Sequence, residues 1–132
     1  IANSNKNIKF DCVDTWSLYP QSVKELKMKN IYYKQFIKNM KPVEGYYNAV
    51  QLKSVEAAAQ YPDNSLDFVF IDASHEQKDV IDDINHWLPK LKVGGVLAGD
   101  DLPWEGVRQA ANETLKEFNE FEGGLVWFYV KK

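Results

Sequence analysis

The residues best suited to chemistry stand just after the apolar runs. Asp14 follows IKFDCV, Asp72 follows LDFVFI, and Asp100 and Asp101 follow GVLAG. In open parallel sheets, ligands bind outside the carboxyl ends of the strands, so these carboxylates are expected to arrive at one sheet edge. A single Asp at such a place is readily a turn former, because its side chain hydrogen-bonds its own backbone two residues on. Three equivalent placements are harder to assign to turns alone. A carboxylate after the second strand of a nucleotide-binding half accepts hydrogen bonds from ribose hydroxyls. That is the expectation for Asp14, against a loop cap.

Asp72, Asp100 and Asp101 form a second set. Converging carboxylates raise one another's pKa unless a cation lies between them, and Mg²⁺ takes a few carboxylates plus waters and substrate oxygens. The alternative is that Asp72 caps the following helix and the pair shapes a turn. His75 lies three residues past Asp72. Histidine titrates near neutrality and is the commonest general base, so His75 is a candidate catalytic residue beside Asp72, against a solvent-facing helix start. His86 falls among polar neighbours and reads as surface. Trp104 follows Pro103 beside the acidic pair, where it walls a pocket or packs as ordinary core.

Positioning these residues requires short apolar strands alternating with amphipathic helices, the pattern of a parallel sheet wrapped on both faces. Strands are expected over Ile8–Val13, Tyr46–Leu52, Leu66–Ile71, Val96–Ala98 and Leu125–Val130. LDFVFI is nearly all apolar, as a strand covered on both faces should be. Helices are expected over Ser22–Met40, Ser54–Tyr61, Glu76–Leu91 and Trp104–Phe118. Ser54 supplies an N-cap oxygen, and Gly94-Gly95 stops the third helix.

The chain has 132 residues and a net charge of −3, which suits one domain and points away from nucleic acid and anionic membranes. Its single cysteine, Cys12, cannot form an internal disulfide. That favours a reducing, cytoplasmic setting, with the thiol buried as a small hydrophobe. No apolar run approaches the roughly 20 residues that span a bilayer.

At these residues the chain resembles class I SAM-dependent methyltransferases. LDFVFIDASHEQKDVIDDINHWLPKLKVGGVLAGDDL is similar to the fourth strand, helix and fifth strand of that fold, and FDCVDTW to its second strand. The FIDASH motif and the GGVL…DD ending resemble a family-24-like group of small bacterial and phage methyltransferases, with a layout similar to catechol O-methyltransferase. The resemblance implies a Rossmann-like, mostly parallel α/β sheet and S-adenosylmethionine as cofactor. It implies methyl transfer to a hydroxyl oxygen of a small molecule or saccharide.

In that layout Asp14, Thr15 and Trp16, then Ser54 and Val55, then Asp72 and Ala73, stand at cofactor-binding positions. Asp72, Asp100 and Asp101 stand at the positions of a divalent cation such as Mg²⁺, with Asp101 in place of the family's Asn. His75 stands where the family has a Lys base. The family's first strand and Gly-rich loop have no counterpart, since only seven residues precede Ile8 and a βαβ unit takes about 30 or more. The expectation is therefore one N-terminally incomplete domain over 1–132, its missing strand lying upstream or coming from a partner such as a second copy. Two other readings stay open. One is a non-catalytic or degenerate Rossmann-like module. The other is a nicotinamide-dependent oxidoreductase, although no G-x-G-x-x-G is present to hold a pyrophosphate.

Overall fold

The computed structural model describes residues 8–17, 30–121 and 123–132. They divide between Ser54 and Val55 into two compact units.

In the first unit, β1 (Asp11–Val13) runs parallel to β2 (Asn48–Val50), with Cys12 opposite Ala49. Helix α1 (Ile31–Met40) starts after Asn30, whose φ of 80° turns the chain into it, and ends in a 3₁₀ turn over Lys41–Val43 that carries Pro42. Proline supplies no N–H to continue the helical ladder. Trp16 is the buried centre of this unit, with ring centroids 5.0 Å from Tyr33 and 4.7 Å from Phe36. The expected first strand is thus shorter, and the expected helix is described only from Ile31 on. Its earlier part, residues 22–29, lies outside the described residues.

Ser54 opens α2 (Ser54–Ala58). The second unit then runs β3 (Leu66–Ile71), α3 (Gln77–Trp87), a 3₁₀ turn (Leu88–Lys90), β4 (Leu91–Gly99), α4 (Glu105–Leu115), β5 (Asn119–Glu120) and β6 (Trp127–Val130). Its sheet is ordered β3-β4-β6-β5. The β3–β4 pair is parallel and the other two pairs are antiparallel. The fold is α/β, with one parallel pair in each unit and antiparallel closing strands in the second. Helices α3 and α4 pack on each other. Val80 and Ile84 of α3, Leu91 and Leu97 of β4, and Trp127 of β6 form the fully buried core. Burying each such side chain contributes on the order of 1.5–3 kcal/mol.

Two expectations need correction. β3 is not covered on both faces: Phe68 is 54% and Phe70 46% exposed, while Ile71 is buried. β3 is an edge strand of this sheet, and the alternation of a strand points its odd and even residues to opposite faces. Gly94-Gly95 does not end a helix either. Pro89 ends α3 earlier, and β4 has already begun at Leu91. Between the pairs Leu66–Leu91 and Phe68–Val96, β3 has one residue and β4 has four, so the glycines sit in a bulge. Gly94 has φ 80°, a conformation that glycine adopts without Cβ strain. The bulge is tied by Gly94 N–H to Lys131 O and Lys131 N–H to Gly95 O, at 2.8 and 2.9 Å.

Candidate active site at the ends of β3 and β4

Ile71 pairs with Gly99 at the last rung of the parallel β3–β4 ladder. The Asp100 N–H donates to Ile71 O at 3.1 Å and carries the pairing one step further. Asp72 and Asp100 therefore leave adjacent strands at one level. Beyond them the backbone turns sharply. Asp101 takes the left-handed conformation with φ 58°, a region where Asp is among the better tolerated non-glycine residues. Its N–H donates to Asp100 Oδ1 at 2.9 Å, and its carbonyl accepts from Trp104 N–H at 2.9 Å. Leu102, fully buried, donates its N–H to Leu125 O at 2.9 Å.

That turn delivers Asp101 Oδ2 to within 2.7 Å of His75 Nε2. The His75 ring stacks on the Trp104 indole, centroids 4.7 Å apart and planes inclined by 20°. Gly106, in the first turn of α4, lies so close beneath His75 that an added Cβ would collide with the His75 carbonyl oxygen. Ser74 fixes the other flank: its hydroxyl donates to Asp79 Oδ2 at 2.8 Å and accepts the Glu76 N–H at 3.2 Å. These residues surround a small cleft. Asp72, His75, Asp100 and Asp101 give it polar walls, and the buried Ile71, Val80, Val107 and Trp127 give it an apolar floor. It has room for about one water.

The three carboxylates expected to hold a cation do line this one cleft, but they do not fit an ion there. Among the described residues no three Asp, Glu, His or Cys side chains are placed to hold a metal. Asp101 Oδ2 is taken by His75, and Asp100 Oδ1 accepts the Asp101 N–H. Neither Asp72 nor His75 is buried, so both are open to a small molecule.

The remaining expected site residues belong elsewhere. Asp14, Thr15 and Trp16 follow β1 in the first unit. Asp14 Oδ1 accepts the Trp16 N–H at 2.8 Å, the loop-cap geometry, while the carboxylate stays exposed and has lone pairs left for a hydroxyl donor. Thr15 Oγ1 accepts the Ser17 N–H at 3.4 Å. Trp16 is 9% exposed and packed among aromatic rings, so it builds the loop from behind. Ser54 and Val55 open α2, both partly buried, and Ala73 is exposed beside Asp72.

Trp127 carries no site expectation in the sequence, yet it floors the cleft. It stands opposite Gly99 across the β4–β6 ladder. Its indole lies where a Gly99 side chain would be, with Nε1 2.7 Å from the position of an added Cβ. Among the described residues Trp127 Nε1 is buried with no hydrogen-bond partner. The sequence signal was a glycine closing an apolar strand, which often marks a close approach by another group.

A family model described as a methyltransferase domain matches residues 1–102. No curated protein sequence matches the chain. Among solved structures, the O-methyltransferase NovP superposes with a TM-score of 0.63 at 11% identity, over 92% of this chain and 59% of its own. CalS11, a TDP-rhamnose 3′-O-methyltransferase of calicheamicin biosynthesis, gives 0.59 at 12% identity, over 96% and 60%. A Streptococcus mutans protein in complex with S-adenosylhomocysteine gives 0.58 at 11% identity, over 93% and 89%. The chain thus spans about three fifths of the length of the first two. At these identities the likeness is one of fold.

Proposed function

We infer that this chain, which belongs to the methyltransferase-domain family, transfers a methyl group from S-adenosylmethionine to a hydroxyl oxygen of a small molecule or saccharide. The observation that carries this reading is the strand-end cleft whose polar residues Asp72, His75 and Asp100 all fall inside the segment matched by the family model. The named activities of NovP and CalS11 support oxygen as the accepting atom, and that of CalS11 supports a sugar ring. The S-adenosylhomocysteine held by the Streptococcus mutans protein supports the cofactor. The family model runs across both compact units, which supports treating them as parts of one domain.

When bound, S-adenosylmethionine supplies an electrophilic methyl carbon on a sulfonium. The task left to the protein is to align the acceptor oxygen with that carbon and sulfur and to take up one proton. Asp72 accepts a hydrogen bond from the acceptor hydroxyl and orients it. His75 would take the hydroxyl proton as general base and then release it to solvent. Asp14 accepts from the ribose hydroxyls in a loop completed by Thr15 and Trp16. Ser54 and Val55 would contact the adenine, and Asp72 and Ala73 are the cofactor positions at the end of β3. Since Asp72, Asp100 and Asp101 do not fit a cation in this arrangement, no step is assigned to Mg²⁺.

The protein is read as cytoplasmic from its lone cysteine. Among the described residues no helix is long and apolar enough to cross a membrane. A homo-oligomer is one candidate assembly. Calorimetric titration with S-adenosylhomocysteine, with NAD(H) as the contrast, tests the cofactor assignment. Binding of the first alone is the expected result, and binding of NAD(H) alone would transfer the fold to redox chemistry.

A further inference from the structure

The expected cation ligand Asp101 has a different partner, and that partner decides which nitrogen of His75 can act. A carboxylate is an acceptor only, whereas a neutral imidazole donates from one nitrogen and accepts at the other. With Asp101 Oδ2 at 2.7 Å from Nε2, Nε2 carries the hydrogen and the lone pair is left on Nδ1. We propose that Asp101 is the positioning residue of His75, holding it as the Nε2–H tautomer so that Nδ1 receives the proton of the acceptor hydroxyl. This rests on the methyl-transfer reading of the same cleft.

The surrounding structure fits a residue built to aim another. Asp101 adopts φ 58°, and both its N–H and its carbonyl are tied, to Asp100 Oδ1 and Trp104 N–H. Its neighbour Leu102 is anchored in the core. The backbone that carries the carboxylate is therefore fixed, and only the short Asp side chain stands between it and His75. His75 meets it with its ring face on Trp104 and its carbonyl over Gly106, a position that admits no side chain. Three sides of the histidine are thus fixed. Among the described residues no hydrogen bond occupies Nδ1, and the His75 side chain is 40% exposed, so an acceptor can reach it. The balance is one proton from the hydroxyl to Nδ1, with the Nε2 hydrogen staying on nitrogen and shared with Asp101.

The chain holds its own internal reference. His86, the other histidine, places Nδ1 2.7 Å from Asp82 O. A carbonyl only accepts, so His86 is expected as the opposite, Nδ1–H tautomer. Long-range proton–nitrogen correlation spectra of the full-length protein, labelled on histidine nitrogen and recorded where both rings are neutral, read this directly. The expected result is Nε2–H at His75 and Nδ1–H at His86. Asp101→Gly keeps the left-handed backbone, which glycine adopts freely, and removes the carboxylate. It should turn His75 into a mixture of tautomers and leave His86 unchanged. With an accepted hydroxyl substrate in hand, it should lower kcat tenfold or more at unchanged S-adenosylhomocysteine affinity. An Nδ1–H tautomer at His75, or a His75 spectrum indifferent to Asp101→Gly, overturns the proposal.

Titration with Mn²⁺ alone supplies the opposing arm. Broadening of His75 over His86 that Asp101→Gly abolishes would make Asp101 a cation ligand and overturn the proposal as well. If the tautomers are as expected but S-adenosylhomocysteine does not bind, the methyl-transfer reading fails and takes the catalytic role of the pair with it. If the cofactor binds and the tautomers are wrong, the pair alone fails.

Discussion

His75 Nε2 and Asp101 Oδ2 stand 2.7 Å apart across the gap between two parallel strands, one residue following β3 and the other following β4. Neither strand's pattern announces that pairing. It exists because β3 and β4 end level and because the chain after Asp100 turns left-handed. The pair joins a titratable ring to a fixed carboxylate on the wall of a cleft, an arrangement suited to accepting a proton.

Replacing His75 should remove the proton acceptor without touching the cofactor loop. His75→Ala is expected to lower kcat by about 10²- to 10⁴-fold, the usual worth of a general base. S-adenosylhomocysteine affinity should stay within roughly twofold, since this residue is read as acting only on the acceptor proton. Steady-state rates and calorimetry on the same preparation check both halves.

Gly99→Ala should destabilise the second unit. The new Cβ would lie 2.7 Å from Trp127 Nε1 and against the ring carbons. Overpacking of this kind costs about 1–3 kcal/mol. Thermal unfolding should show the loss, and tryptophan fluorescence should shift as the indole is pushed aside. Adding Trp127→Leu to Gly99→Ala should give less than the sum of the two single losses, because contacting residues are not additive.

Gly106→Ala should act on His75 from below. Its Cβ meets the His75 carbonyl, so the backbone of the His75 loop must move. The expected signature is a changed His75 tautomer population with little change at His86, read in the same nitrogen spectra.

Asp63 and Lys90 give a pH dependence with a defined sign. The Lys90 ammonium donates to Asp63 Oδ1 at 2.7 Å and holds that carboxyl below the usual aspartate value. A folded-state value below the unfolded one means that the contribution is present above about pH 4 and is lost as pH falls through the lower folded-state value. Asp63→Asn should therefore lower Tm slightly at pH 7, and the difference from wild type should close in strong acid. An exposed pair of this kind contributes little, so a large effect would contradict the assignment.

Cys12 should be a sluggish thiol. Burial, and then the neighbouring Asp11 carboxylate, push its pKa up. The thiolate is the reactive form, so alkylation at pH 8 should run slower in the native protein than in the unfolded chain. A faster native reaction would contradict this.

The strand LDFVFI and the helix after it were legible because their periodicity is local and strong. The types of the site residues were legible for the same reason: Asp72, His75, Asp100 and Asp101 all stand just past strong strands. Their pairing was not, since whether Asp101 meets a cation or His75 depends on one backbone turn and on the placement of Trp104 and α4. Gly94-Gly95 misled because a helix stop and a strand bulge use the same residue for the same conformational freedom. What decides between them is the distant Lys131 backbone, joined to both glycines. β5 is two polar residues, Asn119 and Glu120, held by pairing with β6, and it has no apolar pattern to read.

The central claim is that the chain handles S-adenosylmethionine, and isothermal titration of S-adenosylhomocysteine into the full-length protein tests it most directly. The account predicts saturable one-to-one binding, weakened at least about tenfold by Asp14→Ala through loss of a charge-assisted hydrogen bond to the ribose, and unaffected by Asp101→Gly. No binding to a folded full-length protein at millimolar ligand, or binding indifferent to Asp14→Ala and Asp72→Asn alike, would contradict it.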